Sequence, residues 1–181
     1  MSENSIITLQ DKDFVPYLSA EDISAKIEKL AEIINQDYAD KQPIILCILS
    51  GSFIFTADLV RELSIPHRIE FVRYSSYSGT SSTGQISKIL GLRTDIKDQD
   101  IIIVEDIIDT GFTISTAIRE LYISEPKSIK VASLLFKPDA LKHEVPLDYI
   151  GFEIPNKFVV GYGLDYNELG RDIPSIYRLK D

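Results

Sequence analysis

Four short, continuous apolar runs along the chain predict buried β-strands. They lie at residues 43–49, 100–104, 129–136 and 149–154 and are rich in isoleucine, valine and leucine. Runs of this length without alternation are typical of strands that are covered on both faces. Residues 67–74 alternate between apolar and polar positions, which predicts one further strand.

Helical periodicity lies between these runs. Residues 19–36 predict a helix that Ser19 caps, with an apolar face formed by Ile23, Ile27, Leu30 and Ile34. Further helices are expected after residues 50–52, to about Leu63, and again after Gly111. The alternation of strand and helix predicts an α/β fold with an open, mostly parallel sheet flanked by helices. Ligands bind such sheets at the carboxyl ends of the strands.

Composition narrows the class of protein. The chain has 181 residues, and 19 basic against 28 acidic residues give a formal net charge of −9. An acidic chain is a poor candidate for nucleic-acid binding through its overall field. The single cysteine, Cys47, excludes an intramolecular disulfide. Neither a membrane-spanning run nor a secretory signal is recognisable, so a cytoplasmic location is the expectation.

The segment that follows the run at 100–104 carries the most chemistry. It reads Glu-Asp-Ile-Ile-Asp-Thr-Gly-Phe-Thr from Glu105 to Thr113. Adjacent carboxylates at a strand end are costly near apolar packing unless a ligand such as a sugar diol binds them. Residues 109–113 can place amides around a phosphate at the start of a helix. The pattern favours a ribose 5-phosphate site, and the plainer alternative is an ordinary strand-to-helix turn with an aspartate cap.

This segment resembles the phosphoribosyl-pyrophosphate signature of the type I phosphoribosyltransferases, and more narrowly of their hypoxanthine-guanine members. The resemblance extends from about residue 17 to the C-terminus. The other segments that match the family are Leu49-Ser50-Gly51-Ser52, Ser75-Ser76-Tyr77, Lys137 after its strand, the run from Ile154 to Tyr166, and Arg171-Asp172. The motifs are specific in combination.

The resemblance implies roles for residues at the phosphate end of the substrate. Glu105 and Asp106 are expected to hold the ribose hydroxyls. The implied 5′-phosphate ligands are Asp109, Thr110, Gly111, Phe112 and Thr113. Pyrophosphate is expected to bind Arg171 and the loop of Ser50 and Gly51, in which the Leu49–Ser50 peptide bond is implied to be cis. The implied cofactor is Mg²⁺, with Asp165, Glu105 and Asp106 as its ligands.

The resemblance also implies how a purine base is bound. Asp109 is the implied catalytic residue, which handles the proton at N7 of the base. The implied base-binding residues are Lys137, Phe158, Val159 and Asp165. Ser76 and Tyr77 open an implied lid, and residues 75–84 are rich in serine, glycine and threonine. Residues 86–90 are expected to return from it as the second arm of a hairpin.

Three positions depart from the family pattern. Ser50 stands where many relatives carry lysine or arginine, so pyrophosphate binding is expected to be weaker or to rely more on amides. Phe112 replaces a residue that is often lysine or polar, which removes one possible phosphate donor. Leu141 lies near the place where several relatives have a second pyrophosphate-contacting arginine. None of the three removes a catalytic group.

The sequence therefore predicts a purine-salvage transferase that joins hypoxanthine or guanine to phosphoribosyl pyrophosphate. One alternative is an RNA-binding regulator on the same fold, which needs a basic face and is disfavoured by the net charge. The other is a xanthine-preferring enzyme. A single domain is expected, with a core at about residues 20–145 and a hood formed by about 1–16 and 146–181. The family resemblance implies a homodimer or homotetramer.

Overall fold

The computed structural model describes residues 5–76, 86–92 and 94–180 of the chain. Its helices and strands follow one another along the chain in a fixed order. They are β1 (Ile7–Leu9), β2 (Lys12–Leu18), α1 (Ala20–Asp37), β3 (Ile44–Leu49), α2 (Phe53–Glu62), β4 (Arg68–Ser76), β5 (Ile86–Leu90), β6 (Asp100–Ile108), α3 (Phe112–Tyr122), β7 (Ser128–Phe136), β8 (Tyr149–Glu153), β9 (Val159–Val160) and β10 (Ile176–Leu179).

Six strands form the main sheet in the order β5-β4-β3-β6-β7-β8. All neighbours in it are parallel except β4 and β5, which form the expected antiparallel hairpin pair. This confirms the mostly parallel α/β sheet. The predicted strand at 100–104 was too short, because β6 continues to Ile108. The carboxylates of Glu105 and Asp106 therefore belong to the strand itself and not to the loop after it.

Helices cover both faces of the main sheet. Side chains of α1 and α2 pack on the face that carries Ile45, Ile102 and Leu134. Side chains of α3 pack on the opposite face, against Ile103 and Val131. Burial on both faces explains why the strands read as apolar runs, since most positions along β3, β6 and β7 are buried.

A second, antiparallel sheet has the order β1-β2-β10-β9. We call this sheet, together with the connecting residues 155–175, the hood. The sequence placed the second hood segment from residue 146, but β8 is paired with β7 in the main sheet. The hood therefore starts after Glu153, where the chain leaves the main sheet. No helix in the described ranges is long and apolar enough to cross a membrane.

The expected lid falls mostly outside the part of the chain that the structure describes. Tyr77 and the residues up to 85 are not described. Ser76 is the last residue of β4, and its backbone pairs with that of Ile86 in β5. The hairpin that carries the expected lid is thus present up to this pair.

Helix α1 begins at a serine cap that can be tested. The Ser19 hydroxyl accepts a hydrogen bond from the Asp22 amide at 3.1 Å. Replacing a capping serine by alanine leaves that amide unpaired and costs about 1 kcal/mol. We therefore expect Ser19→Ala to lower the free energy of unfolding by about this amount in urea titration. The matched control is Ser24→Ala within the same helix, where an exposed serine caps nothing and stability should hold or rise slightly. Equal losses in both variants would contradict the capping role.

Candidate active site

Several of the residues singled out from the sequence lie at the carboxyl ends of neighbouring strands of the main sheet. Ser50 and Gly51 follow β3, and residues 109–113 join β6 to α3. Lys137 follows β7 directly. Because β3, β6 and β7 are parallel neighbours, their carboxyl ends lie side by side. Sequence positions far apart along the chain are therefore brought to one surface.

The turn between β6 and α3 surrounds a small pocket of about 80 Å³, lined by residues 107–114 and Glu105. Gly111 caps α3 without a side-chain hydrogen bond, so the first turn of the helix has amides available for a ligand. The turn is held from behind, because the Thr110 carbonyl accepts hydrogen bonds from the Lys142 and His143 amides, both at 3.0 Å. A helix start of this kind suits an anion such as a phosphate group.

The Glu105 and Asp106 side chains point to opposite faces of β6, as successive residues in a strand must. Glu105 lines the pocket beside α3, whereas the Asp106 carboxylate lies against Gly51 on the α2 side. Glu105 is buried, and its Oε2 atom has no hydrogen-bond partner among the residues that the structure describes. Burial, and then the charge of Asp106, raise the pKa of Glu105 well above its usual value. An orphaned buried carboxyl oxygen of this kind is a candidate ligand contact.

The carboxyl group of Asp106 also has a shifted pKa. Burial raises the pKa of its carboxyl to about 6, while the hydrogen bond from the Ile107 amide and the positive charge of Arg171 act to lower it. The Ile107 amide donates to Oδ1 at 2.8 Å. The charges of two hood residues act on the Asp106 carboxyl: Arg171 lowers its pKa and Asp165 raises it.

Gly51 is the point where the hood meets the main sheet. A β-carbon at position 51 would lie 1.5 Å from Oδ2 of Asp106, and one at position 163 would lie 2.0 Å from the Gly51 carbonyl oxygen. Only glycines allow this approach of three chain segments. The Leu49–Ser50 peptide bond in the same loop is cis, as the resemblance implied.

Arg171 and Asp165 form an ion pair within the hood. The Arg171 Nη2 atom lies 2.6 Å from Asp165 Oδ1, and Nη1 donates to the Gly163 carbonyl at 2.7 Å. The other oxygen of Asp165 accepts from the Glu168 amide at 2.7 Å. Because Gly163 lies on Gly51, this pair is positioned beside the loop that the sequence linked to pyrophosphate.

Lys137 and Asp109 form a second ion pair at the end of the main sheet. The Lys137 Nζ atom lies 3.0 Å from Asp109 Oδ2. The lysine side chain is only 7% exposed, while that of Asp109 is 47% exposed. The Lys137 amide also donates to the Ile108 carbonyl at 2.9 Å. A buried ammonium thus lies next to an accessible carboxylate at the turn that carries the phosphate pocket.

Phe158 and Val159 belong to the hood. The Phe158 ring is 46% exposed and packs against Phe14 and Tyr166, with ring centroids 6.3 and 5.9 Å apart. Val159 is buried and its backbone pairs with Arg178 of β10. About half of the Phe158 side chain is thus available for another planar group, and its ring contacts with Phe14 and Tyr166 lie within the hood.

The acidic residues were tested as a metal site. Within residues 5–76, 86–92 and 94–180, no three histidine, cysteine, aspartate or glutamate side chains lie close enough to hold an ion. The expectation that Asp165, Glu105 and Asp106 act together as metal ligands is therefore not met by a preformed cluster, because Glu105 points away from the other two. The remaining donors are carboxylate oxygens, which suit Mg²⁺ bound through one or two carboxylates and substrate phosphates. The residues fit the ion in that form.

Two features of the site were not assigned a role from the sequence. One is the contact of Gly163 with Gly51, although the Gly-Tyr-Gly triplet at 161–163 was a usable signal for a constrained turn. The other is the support of the Thr110 carbonyl by residues 142 and 143, which has no sequence signature because backbone amides are present everywhere.

Comparison with known proteins agrees with this geometry. The chain matches the phosphoribosyl transferase domain family over residues 17–167. It is 43% identical over 166 residues to the hypoxanthine-guanine phosphoribosyltransferase of Mycobacterium tuberculosis, which covers 88% of this chain and 82% of that protein. The hypoxanthine-guanine-xanthine phosphoribosyltransferase of Tritrichomonas foetus is 37% identical over 174 residues, covering 96% of this chain and 94% of that protein.

Solved structures give the same answer. The crystal structure of a hypoxanthine-guanine phosphoribosyltransferase from Bacillus anthracis has a TM-score of 0.87 and 34% sequence identity. The superposition covers 91% of this chain and 98% of that one. A shared fold at this level of identity, together with the domain match, shows the family. The chain belongs to the phosphoribosyltransferases, alongside relatives that are hypoxanthine-guanine phosphoribosyltransferases.

Proposed function

We propose that this protein transfers the 5-phosphoribosyl group from phosphoribosyl pyrophosphate to hypoxanthine or guanine, in purine salvage. The observation that carries the choice of base is the Lys137–Asp109 pair, 3.0 Å apart at the rim of the phosphate pocket. In the reaction, N9 of the base bonds to C1′ of the ribose as the C1′–oxygen bond to pyrophosphate breaks. The proton on N7 passes to the Asp109 carboxylate.

The chemistry of a 6-oxopurine matches this pair. Such a base presents N7 and O6 next to each other on one edge. The Lys137 ammonium is a donor only, so it can meet the O6 carbonyl. Asp109 is accessible and adjacent, and it can accept the N7 proton. The exposed half of the Phe158 ring is a platform on which the base can stack.

The ribose phosphate is proposed to lie along the turn between β6 and α3. The pocket of about 80 Å³ suits a single phosphate group held by the amides of residues 110–113. Glu105, whose buried Oε2 has no partner, is proposed to bind a ribose hydroxyl from within the same pocket. Asp106 does so from the opposite face of β6.

Pyrophosphate is proposed to lie between the Ser50–Gly51 loop and the hood. Arg171 supplies the positive charge, and the loop supplies amides since Ser50 brings no cation. Mg²⁺ bound to Asp165 would neutralise charge on the leaving pyrophosphate. Arg171 orients Asp165 through their ion pair at 2.6 Å.

We propose that the protein acts as a cytoplasmic homodimer or homotetramer of single-domain subunits. Its one cysteine is free and buried, as suits a reducing compartment. Large apolar side chains remain exposed on the α2 side of the sheet at Phe53, Ile69 and Phe71, and exposed apolar side chains grouped on one side mark contact surfaces. The RNA-binding alternative is not favoured, because the relatives are transferases. The xanthine-preferring alternative is not favoured either, because the Mycobacterium tuberculosis and Bacillus anthracis relatives are named for hypoxanthine and guanine.

Turnover is expected to depend on a divalent metal. The proposed pyrophosphate site offers Asp165 and Asp106 as oxygen ligands, and the described part of the chain holds no preformed three-ligand group, so the ion should arrive with the substrate. Excess chelator should abolish product formation, and added Mg²⁺ should restore it. Potassium chloride at matched ionic strength is the control and should restore nothing. Full turnover in chelator would contradict the proposed metal role.

The proton-accepting role of Asp109 can be tested with an isosteric change. Asp109→Asn keeps an oxygen that accepts from Lys137 but removes the basic carboxylate. We expect substrate binding to persist and turnover to fall by roughly 10²–10⁴-fold, the usual range for a general acid–base group. Asp139→Asn, at an exposed position close to Lys137 in sequence, is the matched control and should leave turnover unchanged. A loss of less than about three-fold in Asp109→Asn would make this residue structural.

Adenine is expected to be a poor substrate. Its N6 amino group is a donor and would face the Lys137 ammonium, also a donor, in a largely buried position. Sites built on a buried hydrogen bond reject such a mismatch by about 10⁴-fold. Relative kcat/KM for hypoxanthine and adenine measures this directly. Lys137→Gln should shrink the ratio because an amide can also accept, whereas Lys142→Gln, at an exposed lysine, should not. Equal use of adenine by the unmodified protein would contradict the assignment of Lys137.

A further inference from the structure

One hydrogen bond joins the hood to the helix that follows the proposed pyrophosphate loop. The Tyr162 hydroxyl donates to Asp58 Oδ2 at 2.5 Å, across 104 positions of sequence. Asp58 lies in α2, which begins at Phe53 directly after the loop of residues 50–52. Its other oxygen accepts from the exposed Arg61. The bond therefore connects the hood with the helix that follows the loop of residues 50–52. The hood and this loop together form the proposed pyrophosphate site.

The backbone conformation at Tyr162 is unusual for a residue other than glycine, which indicates that the tyrosine side chain has a role at this position. Tyr162 has φ of 51°, in the left-handed region that glycine adopts at least cost, and it stands between Gly161 and Gly163. A third glycine would relieve this conformation. The tyrosine is 6% exposed and belongs to the main apolar cluster, so its ring is anchored while its hydroxyl reaches Asp58. Burial, followed by the hydrogen bond to Asp58, raises the pKa of Tyr162, so the hydroxyl stays protonated and remains a donor.

The turn that Tyr162 anchors holds the hood residues proposed to bind pyrophosphate. The Gly163 amide donates to the Arg171 carbonyl at 2.9 Å, and the Gly163 carbonyl accepts from the Arg171 side chain at 2.7 Å. Arg171 in turn holds Asp165 at 2.6 Å. A shift of the turn would therefore move both charged side chains relative to Gly51.

Packing beside this bond is open. A cleft of about 430 Å³ separates α1 and α2 from hood residues 172–174, and both Tyr162 and Asp58 line it. The hood is thus not held against the helices by close packing at that place. The hydrogen bond from Tyr162 to Asp58 is a polar contact across this cleft, beside the apolar packing of the Tyr162 ring.

At the base end, Lys137 and Asp109 are held independently of the hood turn, while the hood contributes Phe158, whose ring packs against Phe14 of β2. Lys137 and Asp109 are positioned by the paired strands β6 and β7 and by the bond from the Lys137 amide to the Ile108 carbonyl. Neither residue depends on the hood turn. Loosening the turn should therefore affect the two ends of the substrate site unequally.

We propose that Tyr162 and Asp58 are a positioning pair for the pyrophosphate end of the site, acting through Gly163, Arg171 and Asp165. This inference rests on the proposed function. The pair touches no reacting atom. It sets where the charged groups of the hood lie relative to the Ser50–Gly51 loop.

Tyr162→Phe removes only the hydroxyl and is the main test. We expect the KM for phosphoribosyl pyrophosphate, and the Kd for pyrophosphate with Mg²⁺ measured by calorimetry, to rise about ten-fold, the effect of one hydrogen bond to a charged group. The KM for hypoxanthine should change by less than about two-fold, since Lys137 and Asp109 are held by the sheet.

The chain offers a closely matched control in Tyr149→Phe. Tyr149 is also buried, at 3% exposure, and its hydroxyl donates to Asp37 at 2.6 Å. The two acceptors are similarly exposed, at 43% for Asp37 and 39% for Asp58. Tyr149 is the first residue of β8, so it lies at the amino end of its strand, whereas the site lies at the carboxyl ends of the strands. This variant should lose stability to a similar extent but keep both KM values and the pyrophosphate affinity.

Changes at Asp58 test the pair from its other side. Asp58→Asn keeps an acceptor oxygen for Tyr162 and should retain most of the pyrophosphate affinity, while Asp58→Ala should reproduce the selective loss. The double variant Tyr162→Phe with Asp58→Ala should be no weaker than either single variant, because both remove the same interaction. If Tyr162→Phe fails to fold, the comparison of Asp58→Asn with Asp58→Ala decides the question.

Two results would overturn the inference. One is an unchanged pyrophosphate affinity in Tyr162→Phe and Asp58→Ala, with only the stability loss seen in Tyr149→Phe. The other is an equal rise of KM for both substrates. Turnover of the unmodified protein is measured first and by itself decides the proposed function. If that protein binds pyrophosphate without turnover, the proposed transfer is wrong, and the pyrophosphate affinities of the variants still decide the inference.

Discussion

The close approach of three chain segments at Gly51 is the constraint on which the arrangement of the site depends. The backbone of the loop after β3 lies against the Asp106 carboxylate of β6 on one side and against Gly163 of the hood on the other. No side chain separates Gly51 from Gly163, so the distance from this loop to the hood is set there by backbone atoms. Backbone contacts of this kind leave little freedom, because no rotamer change can absorb a displacement. The hood ion pair of Arg171 and Asp165 lies next to that contact, because the Arg171 side chain donates to the Gly163 carbonyl.

Electrostatics divide the site into two unlike halves. At one end, buried carboxyl groups have raised pKa values, since burial disfavours the charge of Glu105 and Asp106. At the other end, the buried ammonium of Lys137 is paired with an accessible carboxylate. The first half favours ligands that bring hydroxyl groups or positive charge. The second half favours a planar ligand with an acceptor next to a removable proton.

Much of the fold could be predicted because apolar runs report burial on both faces of a sheet. The strands at 43–49 and 129–136 and the helix capped by Ser19 are confirmed within one or two residues. The predicted end of the strand at 100–104 was wrong, because the carboxylates Glu105 and Asp106 look like a loop although β6 continues to Ile108. The division into core and hood stays a prediction. Residues of the site that act through backbone contacts were missed. The approach of Gly163 to Gly51 and the support of Thr110 depend on tertiary geometry, which composition and periodicity do not encode.

The pairing of β6 with β7 has a consequence for the kind of ligand that fits. Ile108 and Phe136 are direct partners, so the phosphate turn and Lys137 each begin one residue beyond the same rung of the sheet. Parallel strands bonded in this register resist sliding, because a slip of one residue would turn every side chain to the wrong face. The span between the turn that joins β6 to α3 and the buried ammonium of Lys137 is therefore a fixed length. A ligand that contacts both the turn and Lys137 must match that length. The sheet therefore limits the size of the ligand as well as supporting the site.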